Sequence, residues 1–141
     1  MNNTLNTNIK KLVMQGKLEE ALRLGNLALE NAKKDGNQLK IAHQYKILGN
    51  IHSYIGDFEK ALDNNKHALE LFIKLNNLKG ISDLLGNIGA NYQAIAQMLK
   101  MQRRFDESKI QNRNALNYQH KAINVRKKIL DNCKRRKNDK Y

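Results

Sequence analysis

Apolar residues recur at three- and four-residue spacing on either side of a glycine in the middle of the chain. Leu48 and His52 precede Gly56, and Ala61 begins a similar series after it. This spacing places the side chains of each series on one face of an amphipathic α-helix. Gly56 can end a helix in a left-handed conformation, and Asp57 directly after it can cap the next helix. The pattern therefore predicts two α-helices joined by a short turn.

The same pair of helices is repeated along the chain. A shift of the sequence against itself by 40 residues brings like residues together without gaps. The matching pairs include Gly16 with Gly56, Glu19 with Glu59, Ala21 with Ala61, Leu22 with Leu62, Ala28 with Ala68, Leu29 with Leu69, Asn37 with Asn77, Ile41 with Ile81 and Gly49 with Gly89. Self-similarity of this kind is the signature of repeat architectures. We predict three units at about residues 1–36, 37–76 and 77–130, followed by a basic tail at residues 131–141.

Small residues occupy equivalent positions in these units. Gly49 and Gly89 lie in the first helix of their units, and Ala61 and Ala68 lie in the second helix of the middle unit. A residue without a large side chain lets two helices approach closely, while larger aliphatic residues fill the space between layers. We expect these positions to be helix contacts.

The segment from Ile47 to Leu62, with the sequence ILGNIHSYIGDFEKAL, carries a family resemblance. It resembles the central pattern of the tetratricopeptide repeat, in the version with about forty residues per unit. The repeats of Leu-Gly-Asn scaffolds and of kinesin light chains are similar. The resemblance implies an all-α solenoid of helical hairpins. It also implies a non-enzymatic adaptor or scaffold that is a subunit of a larger complex. We expect it to hold a partner protein or peptide through the concave surface and the exposed ends of the solenoid.

The third unit is longer than the second by two equal insertions. The spacing from Gly89 to Phe105 is 16 residues, seven more than between their counterparts in the second unit. A second difference of seven residues follows the turn. Because seven residues are close to two helical turns, both helices can lengthen together by about 10 Å and keep their apolar faces opposed. We predict an elongated last hairpin that projects beyond the other units, with Arg103 and Arg104 near its tip.

An apolar stripe defines the packing face of this hairpin. The predicted packing residues are Ile88, Tyr92, Ile95, Met98, Leu99 and Met101 on the first helix, and Phe105, Ser108, Ala115, Tyr118, Ala122, Val125 and Ile129 on the second. The alternative is a disordered insertion at residues 93–114, which the absence of Gly and Pro disfavours.

In the first unit, Asn8 and Ile9 replace Leu48 and Gly49, so its first helix is predicted to be a short cap.

Positive charge is concentrated in the last third of the chain. The sequence has 26 Lys and Arg against 13 Asp and Glu, and from residue 100 onward the counts are 14 and 4. The residues expected to contact an acidic partner are Arg103, Arg104, Arg126, Lys127, Lys128, Lys134, Arg135, Arg136 and Lys137. Cations at a helix C-terminus are favoured by the macrodipole, so a solvated tail stays an alternative. An acidic protein or nucleic acid would be attracted by the same charge.

Residues suited to catalysis or metal binding are sparse. Cys133 is the single cysteine, which excludes an internal disulfide framework and a Cys-rich zinc site. The four histidines do not pair at the spacing of a metal site on one helix. His52 occupies the place of Tyr92 one unit later and is interpreted as a packing residue. We therefore expect no catalytic residues, no cofactor and no metal.

A peptide groove is the remaining candidate site. The family resemblance implies that the first helices of successive units line a concave face, with Lys46, Asn50 and Tyr54 in unit two and Asn87 and Gln93 in unit three. Within the family, an asparagine at the place of Asn50 or Asn87 commonly holds the backbone of a bound peptide. Lys46 and these two asparagines resemble three of the five residues with which chaperone-binding members hold a terminal carboxylate. Simple solvent exposure is the alternative for these residues.

Two functional hypotheses follow from these observations. The first is the protein-binding adaptor, and the second is a nucleic-acid-associated subunit that grips phosphate through the basic hairpin and tail. No stretch approaches 18 uninterrupted apolar residues, and the polar start lacks the apolar core of a signal peptide. We expect a cytoplasmic protein that does not enter a membrane, with a cytoskeletal or nuclear location left open.

Overall fold

The protein is a succession of six α-helices in a computed structural model that describes residues 2–140, with side chains from Thr4 onward. The helices are α1 (Asn2–Met14), α2 (Leu18–Asp35), α3 (Gln38–Ile55), α4 (Phe58–Lys74), α5 (Leu78–Met101) and α6 (Phe105–Asn138). Met1 and Tyr141, which bound the first predicted unit and the predicted tail, lie outside the described residues. Residues 2–140 contain no β-strand, as the all-α prediction requires.

The turn between α3 and α4 is closed by the two residues that the sequence indicated. Gly56 ends α3 with φ of 89°, in the left-handed region that favours glycine, and its N–H donates to the His52 carbonyl at 3.0 Å. The Asp57 carboxylate then accepts a hydrogen bond from the Lys60 N–H at 3.2 Å. One short segment therefore satisfies polar groups at the end of one helix and the start of the next.

An asparagine caps the start of α3 and of α5, the helices with which a new pair begins. The side-chain oxygen of Asn37 accepts from the Lys40 N–H at 3.1 Å, and that of Asn77 accepts from the Gly80 N–H at 2.8 Å. The two caps are 40 residues apart, at equivalent places of the repeat. Because a cap satisfies a donor that the helix itself leaves unpaired, these asparagines fix where α3 and α5 begin.

The chain divides into two compact units, of which the first ends at Leu71. Its core has two clusters of buried residues, one around Ile9 and Ile51 and the other around Leu29 and Leu48. The remaining buried members are mostly alanines of α2 and residues of α3: Ala21, Ala28, Ala32 and Ile41. Alanine at these positions lets α2 lie close to its neighbours while the larger aliphatic side chains fill the gaps.

The contact between α3 and α4 depends on a missing side chain. A Cβ atom added to Gly49 would overlap the carboxamide of Asn65, which is fully buried. Neither polar atom of this carboxamide has a hydrogen-bond partner among the described residues. Nearby, the Tyr45 ring stacks on His67 with ring centroids 5.1 Å apart. The close approach predicted at Gly49 is therefore confirmed, and Ala61 and Ala68 of α4 are fully buried as expected.

The second unit, which begins at Phe72, contains the antiparallel pair of α5 and α6. Contacts along its length are the Tyr92 and Tyr118 rings, stacked at 5.6 Å, and the Ser108 hydroxyl, which donates to the Ala96 carbonyl at 2.8 Å. α5 has 24 residues where α3 has 18, and the turn lies at Gln102–Arg104. The elongated last hairpin is thus confirmed, and the alternative of a disordered insertion is wrong.

The predicted packing stripe fails at the tip of this hairpin. Met98, Met101 and Phe105 were expected to pack, yet all three are exposed, and Met101 is 86% exposed. Met101 is the last residue of α5 and Phe105 the first of α6, so the opposing helix ends beside them. Met98 directly precedes the buried Leu99 and is rotated from it by about 100° around the helix, away from the packing face. Further along the stripe, Ile88, Ala115 and other members are buried as expected.

α6 does not end near residue 130 but continues through the segment predicted to be a basic tail, to Asn138. The segment contains no Gly or Pro, and Lys and Arg are good helix formers. Cations are also favoured in the last turn of a helix by the macrodipole, and Arg135, Arg136 and Lys137 lie there. α6 therefore has 34 residues, ten more than α5.

Two glycines of α5 provide a matched test of close packing. A Cβ atom on Gly80 would overlap the fully buried Phe72 ring, whereas one on Gly86 would meet only the end of Arg126 at 3.6 Å. We expect Gly80→Ala to lower the free energy of unfolding by about 1 to 3 kcal/mol through overpacking. Gly86→Ala is expected to raise it by about 0.5 to 1 kcal/mol, since alanine is the better helix former. Urea unfolding followed by circular dichroism measures both changes.

A double variant tests whether Gly80→Ala destabilises the protein through its contact with the Phe72 ring. The alternative is that the substitution weakens the start of α5 at Asn77. Phe72→Leu removes part of the ring that the added methyl group meets. The combined effect of Gly80→Ala and Phe72→Leu should then be smaller than the sum of the single effects. Additive effects would contradict the proposed contact.

Burial makes stability depend on the protonation of His52. Desolvation lowers the pKa of His52 below its ordinary value, an effect that the Asp57 carboxylate opposes and that Lys60 reinforces. The unfolded chain therefore binds the proton more tightly than the folded chain. The neutral imidazole of His52 therefore favours the folded state. Its contribution to the free energy of unfolding is complete above the pKa of about 6.5 that His52 has in the unfolded chain. The contribution is lost as the pH falls toward the lower pKa that His52 has in the folded chain.

The variant His52→Gln tests this dependence. We expect its free energy of unfolding to fall less steeply than that of the original chain between about pH 7.5 and 5, because glutamine does not titrate. Urea unfolding at several pH values gives the two slopes. Asn26→Gln, at an exposed position of α2, changes no titrating group; it is the control and should keep the original slope. Equal slopes for all three proteins would contradict the assignment.

Candidate peptide-binding groove

A groove of about 450 Å³ runs between α1 and α3 in the first unit. Its lining residues are Asn6, Ile9, Lys10, Val13 and Met14 of α1, and Ile47, Asn50, Ile51 and Tyr54 of α3. On each helix these residues recur at three- and four-residue spacing, which places them on one face. The groove is therefore formed by the first helices of two successive repeats.

The floor of the groove is buried and its rim is exposed. Ile9 and Ile51 form the floor and belong to the buried core cluster. Met14 on α1 is 80% exposed, and Tyr54 on α3 is 68% exposed. A large apolar side chain that entered the groove would rest on the isoleucines and be covered by the flexible thioether and the aromatic ring.

Polar groups of both helices lie along the same groove. The Asn6 side-chain oxygen accepts a hydrogen bond from Gln44 Nε2 at 3.0 Å, which ties α1 to α3. Asn50 adds a second carboxamide, and Lys10 is the one charged residue among the described residues that line the groove. An apolar floor with a few polar groups is the usual composition of a ligand site. Carboxamides suit a peptide backbone, and the lysine ammonium suits a carboxylate.

The structure brings two of the five predicted peptide-binding residues into this groove. Asn50 and Tyr54 line it, whereas Lys46 lies one helical turn earlier on α3, outside the lining. Asn87 and Gln93 lie on α5, in the second unit. They are six positions apart, which places them on different faces of that helix.

The residues of α1 are the part of the groove that the sequence analysis missed. Ile9 and Val13 recur at four-residue spacing, with Asn6 and Lys10 beside them, so the sequence does contain the signal of one helical face. That signal was interpreted as a short capping helix because the Leu-Gly pair is absent from the first unit. The face of α1 is a lining surface as well as a cap.

The residues predicted to contact an acidic partner fall into two groups. Arg104 pairs with Glu107 through two hydrogen bonds, and this pairing lowers the pKa of the Glu107 carboxyl group and raises that of Arg104. Arg126 Nε donates to the Ser82 hydroxyl at 3.2 Å. Both arginines are exposed nonetheless, as are Arg103 in the turn and Lys127, Lys128, Lys134, Arg135, Arg136 and Lys137 on α6.

The described part of the chain offers neither a cluster of metal ligands nor a helix that could span a membrane. Residues 2–140 bring together no group of three His, Cys, Asp or Glu side chains that could hold a metal ion. Within the same residues, no helix combines the length and the apolar character needed to cross a bilayer.

The repeat agrees with the comparison with known families. The model of the tetratricopeptide repeat matches residues 4–74, which is half of the chain and covers α1 to α4. The chain belongs to the tetratricopeptide repeat family, whose repeats generally mediate contacts between proteins and typically act as scaffolds without catalysis. A comparison with curated proteins gives no match.

Arg126 is expected to stabilise the α5–α6 pair rather than remain available to a partner. Ser82 is buried, so Arg126→Ala leaves its hydroxyl without the arginine donor. We expect the free energy of unfolding to fall by about 1 kcal/mol. The neighbouring Lys127→Ala, at an exposed position, should change it by less than about 0.5 kcal/mol. Urea unfolding measures the difference, and equal effects would show that the hydrogen bond contributes nothing.

Proposed function

We propose that this protein is a non-enzymatic adaptor that binds a peptide segment of another protein in the groove between α1 and α3. The single observation that carries the proposal is the composition of this groove. A buried isoleucine floor lies between an exposed methionine and an exposed tyrosine, with two asparagines and one lysine along the sides. A helix face that only contacts water is mostly polar, whereas this surface offers apolar contact to a ligand.

The lining residues define the chemistry of the peptide. The floor formed by Ile9 and Ile51 fits a branched or aromatic side chain, which gains free energy by leaving water. The amides of Asn6 and Asn50 fit the N–H and C=O groups of an extended backbone. Lys10 fits a carboxylate, from an acidic side chain or a chain terminus. We therefore propose a short peptide that carries one large apolar residue and a nearby carboxylate.

The proposed site differs from the one that a nucleic-acid function would use. Phosphate binding would depend on the basic residues of α6, and the groove contains one cation. Affinity for a phosphate backbone falls steeply with salt concentration because counterions are released. Affinity for a peptide held mostly by apolar contact changes little, so salt dependence separates the two functions.

A peptide library displayed on phage and selected against the full chain tests the proposal. We expect selected peptides to combine a large apolar residue with a carboxylate. Fluorescence polarisation then measures their affinity for two groove variants, Tyr54→Ala and Asn50→Ala. We expect each to bind at least about 10-fold more weakly, a loss of about 1.4 kcal/mol.

The control variants sit on exposed positions outside the groove. Leu27→Ala and Asn26→Ala are on α2 in the same unit and match the two groove variants in kind. We expect them to bind the selected peptides as the original chain does. Peptides that bind all four variants with unchanged affinity would place the binding site elsewhere and overturn the proposal.

A further inference from the structure

An unpartnered row of apolar side chains follows the outside of α6. Leu116, Ile123 and Leu130 recur every seven residues and are 55%, 45% and 59% exposed. Each directly follows a residue of the face that packs on α5, the first two following the buried Ala115 and Ala122. Because successive helical residues are rotated by about 100°, the row lies beside the packing face and not within it. It extends for about 21 Å along the helix.

A second row, of basic side chains, borders the first. Arg113, His120, Lys127 and Lys134 also recur every seven residues. The last three each follow an apolar residue of the first row by four positions, so the rows are neighbours on the helix surface. From Ser108 to Asn138 the sequence contains ten Lys and Arg and one acidic residue, Asp131. All four members of the basic row are exposed.

An apolar residue at every seventh position, with charges beside it, supplies one of the two apolar positions per seven residues through which helices pair. In paired helices, an apolar seam packs against an apolar seam, and the flanking charges select a partner of opposite sign. The row rotates by about 20° per seven residues on a straight helix, which a partner helix follows by a left-handed supercoil. The packing face toward α5 stays occupied, so docking here needs no rearrangement of the hairpin.

We propose that the Leu116–Leu130 row of α6 is a docking site for an amphipathic helix of another protein that carries Leu or Ile at seven-residue spacing, flanked by Glu or Asp. The charge of α6 argues for this partner. Carboxylates opposite Arg113, Lys127 and Lys134 would form ion pairs while the apolar residues of the two helices bury one another. This site is separate from the groove, and its failure would leave the proposed function untouched.

Other occupants fit these observations less well. A second copy would bring its own basic row against this one, and like charges repel. A bilayer surface favours a broad apolar face with aromatic residues, whereas this row is one residue wide and aliphatic. Nucleic acid would use the cations and leave Leu116, Ile123 and Leu130 without a role.

The probe is a synthetic peptide of 24 residues. It carries Leu at every seventh position and Glu beside each Leu. A scrambled peptide of the same composition keeps the charge and removes the apolar seam. Fluorescence polarisation against the full chain should show binding of the probe and at least 10-fold weaker binding of the scrambled peptide. Equal binding of the two peptides would overturn the proposal, because charge alone would then explain the affinity.

Two pairs of charge reversals provide the sharpest control. Lys127→Glu with Lys134→Glu changes the basic row, whereas Lys128→Glu with Arg135→Glu makes the same change of net charge on another face of α6. We expect the first pair to weaken probe binding at least 10-fold and the second by less than 3-fold. Equal losses would show that the probe responds to net charge and would overturn the docking site.

The apolar row is tested by Ile123→Ser with Leu130→Ser, which should also weaken binding at least 10-fold. Ile110→Ser is the control, because Ile110 is exposed on α6 outside the row. Thermal unfolding followed by circular dichroism confirms that each variant keeps its helices. The charge reversals carry the test independently if the serine variants unfold.

Three further measurements test the other occupants directly. They are sedimentation equilibrium of the chain alone, binding to vesicles with 30% phosphatidylserine, and binding to a 30-nucleotide DNA strand. We expect a monomer and weaker binding to vesicles and DNA than to the probe. A dimer that Ile123→Ser with Leu130→Ser disperses, or tighter binding to lipid or DNA, would overturn the proposal in favour of that occupant.

Discussion

Close approach of neighbouring helices at residues with small side chains is the constraint on which the rest of this structure depends. Gly49 leaves room for the buried Asn65 carboxamide, and Gly80 leaves room for the Phe72 ring. The alanines of α2 and α4 do the same for the layers beside them. Because dispersion contacts weaken steeply with distance, a gap of even one methyl group at such positions would weaken the packing along the whole helix pair. Small residues recur one repeat apart at three positions, as Ala21 with Ala61, Ala28 with Ala68 and Gly49 with Gly89.

The groove is a consequence of the same packing. The isoleucine floor is part of the core cluster, and the hydrogen bond between Gln44 and Asn6 holds α1 against α3 beside it. The lining is therefore held by contacts that already stabilise the unit. A ligand site that is formed in advance loses less conformational entropy on binding than one that must be ordered by its ligand. The exposed rim of Met14 and Tyr54 supplies the adjustable part.

Features that depend on a few neighbouring residues were predictable from the sequence. The stop at Gly56 and the cap at Asp57 follow local rules, and the structure confirms them. The turn at Arg103 and Arg104 was predicted from the two equal insertions in the third unit, and it too is confirmed. The groove was predicted only in part, because its α1 side needs two segments to be placed together in space. Exposure of Met101 was missed for a similar reason: periodicity identifies a face of a helix and cannot tell where the opposing helix ends. The extension of α6 was missed because the run of cations after residue 130 was interpreted as a basic tail beyond the last helix.

At the end of α6, the helical order of the chain depends on the charges of its side chains. Residues 131–138 are helical yet exposed throughout, so their helix lacks the tertiary burial that stabilises most protein helices. Lys134 and Lys137 lie three positions apart there, and like charges at this spacing oppose the helical form. Any anion that gathers at this segment relieves that repulsion. The number of ordered turns at the end of α6 should therefore respond to ionic conditions, which makes the length of the last helix a variable property of the molecule.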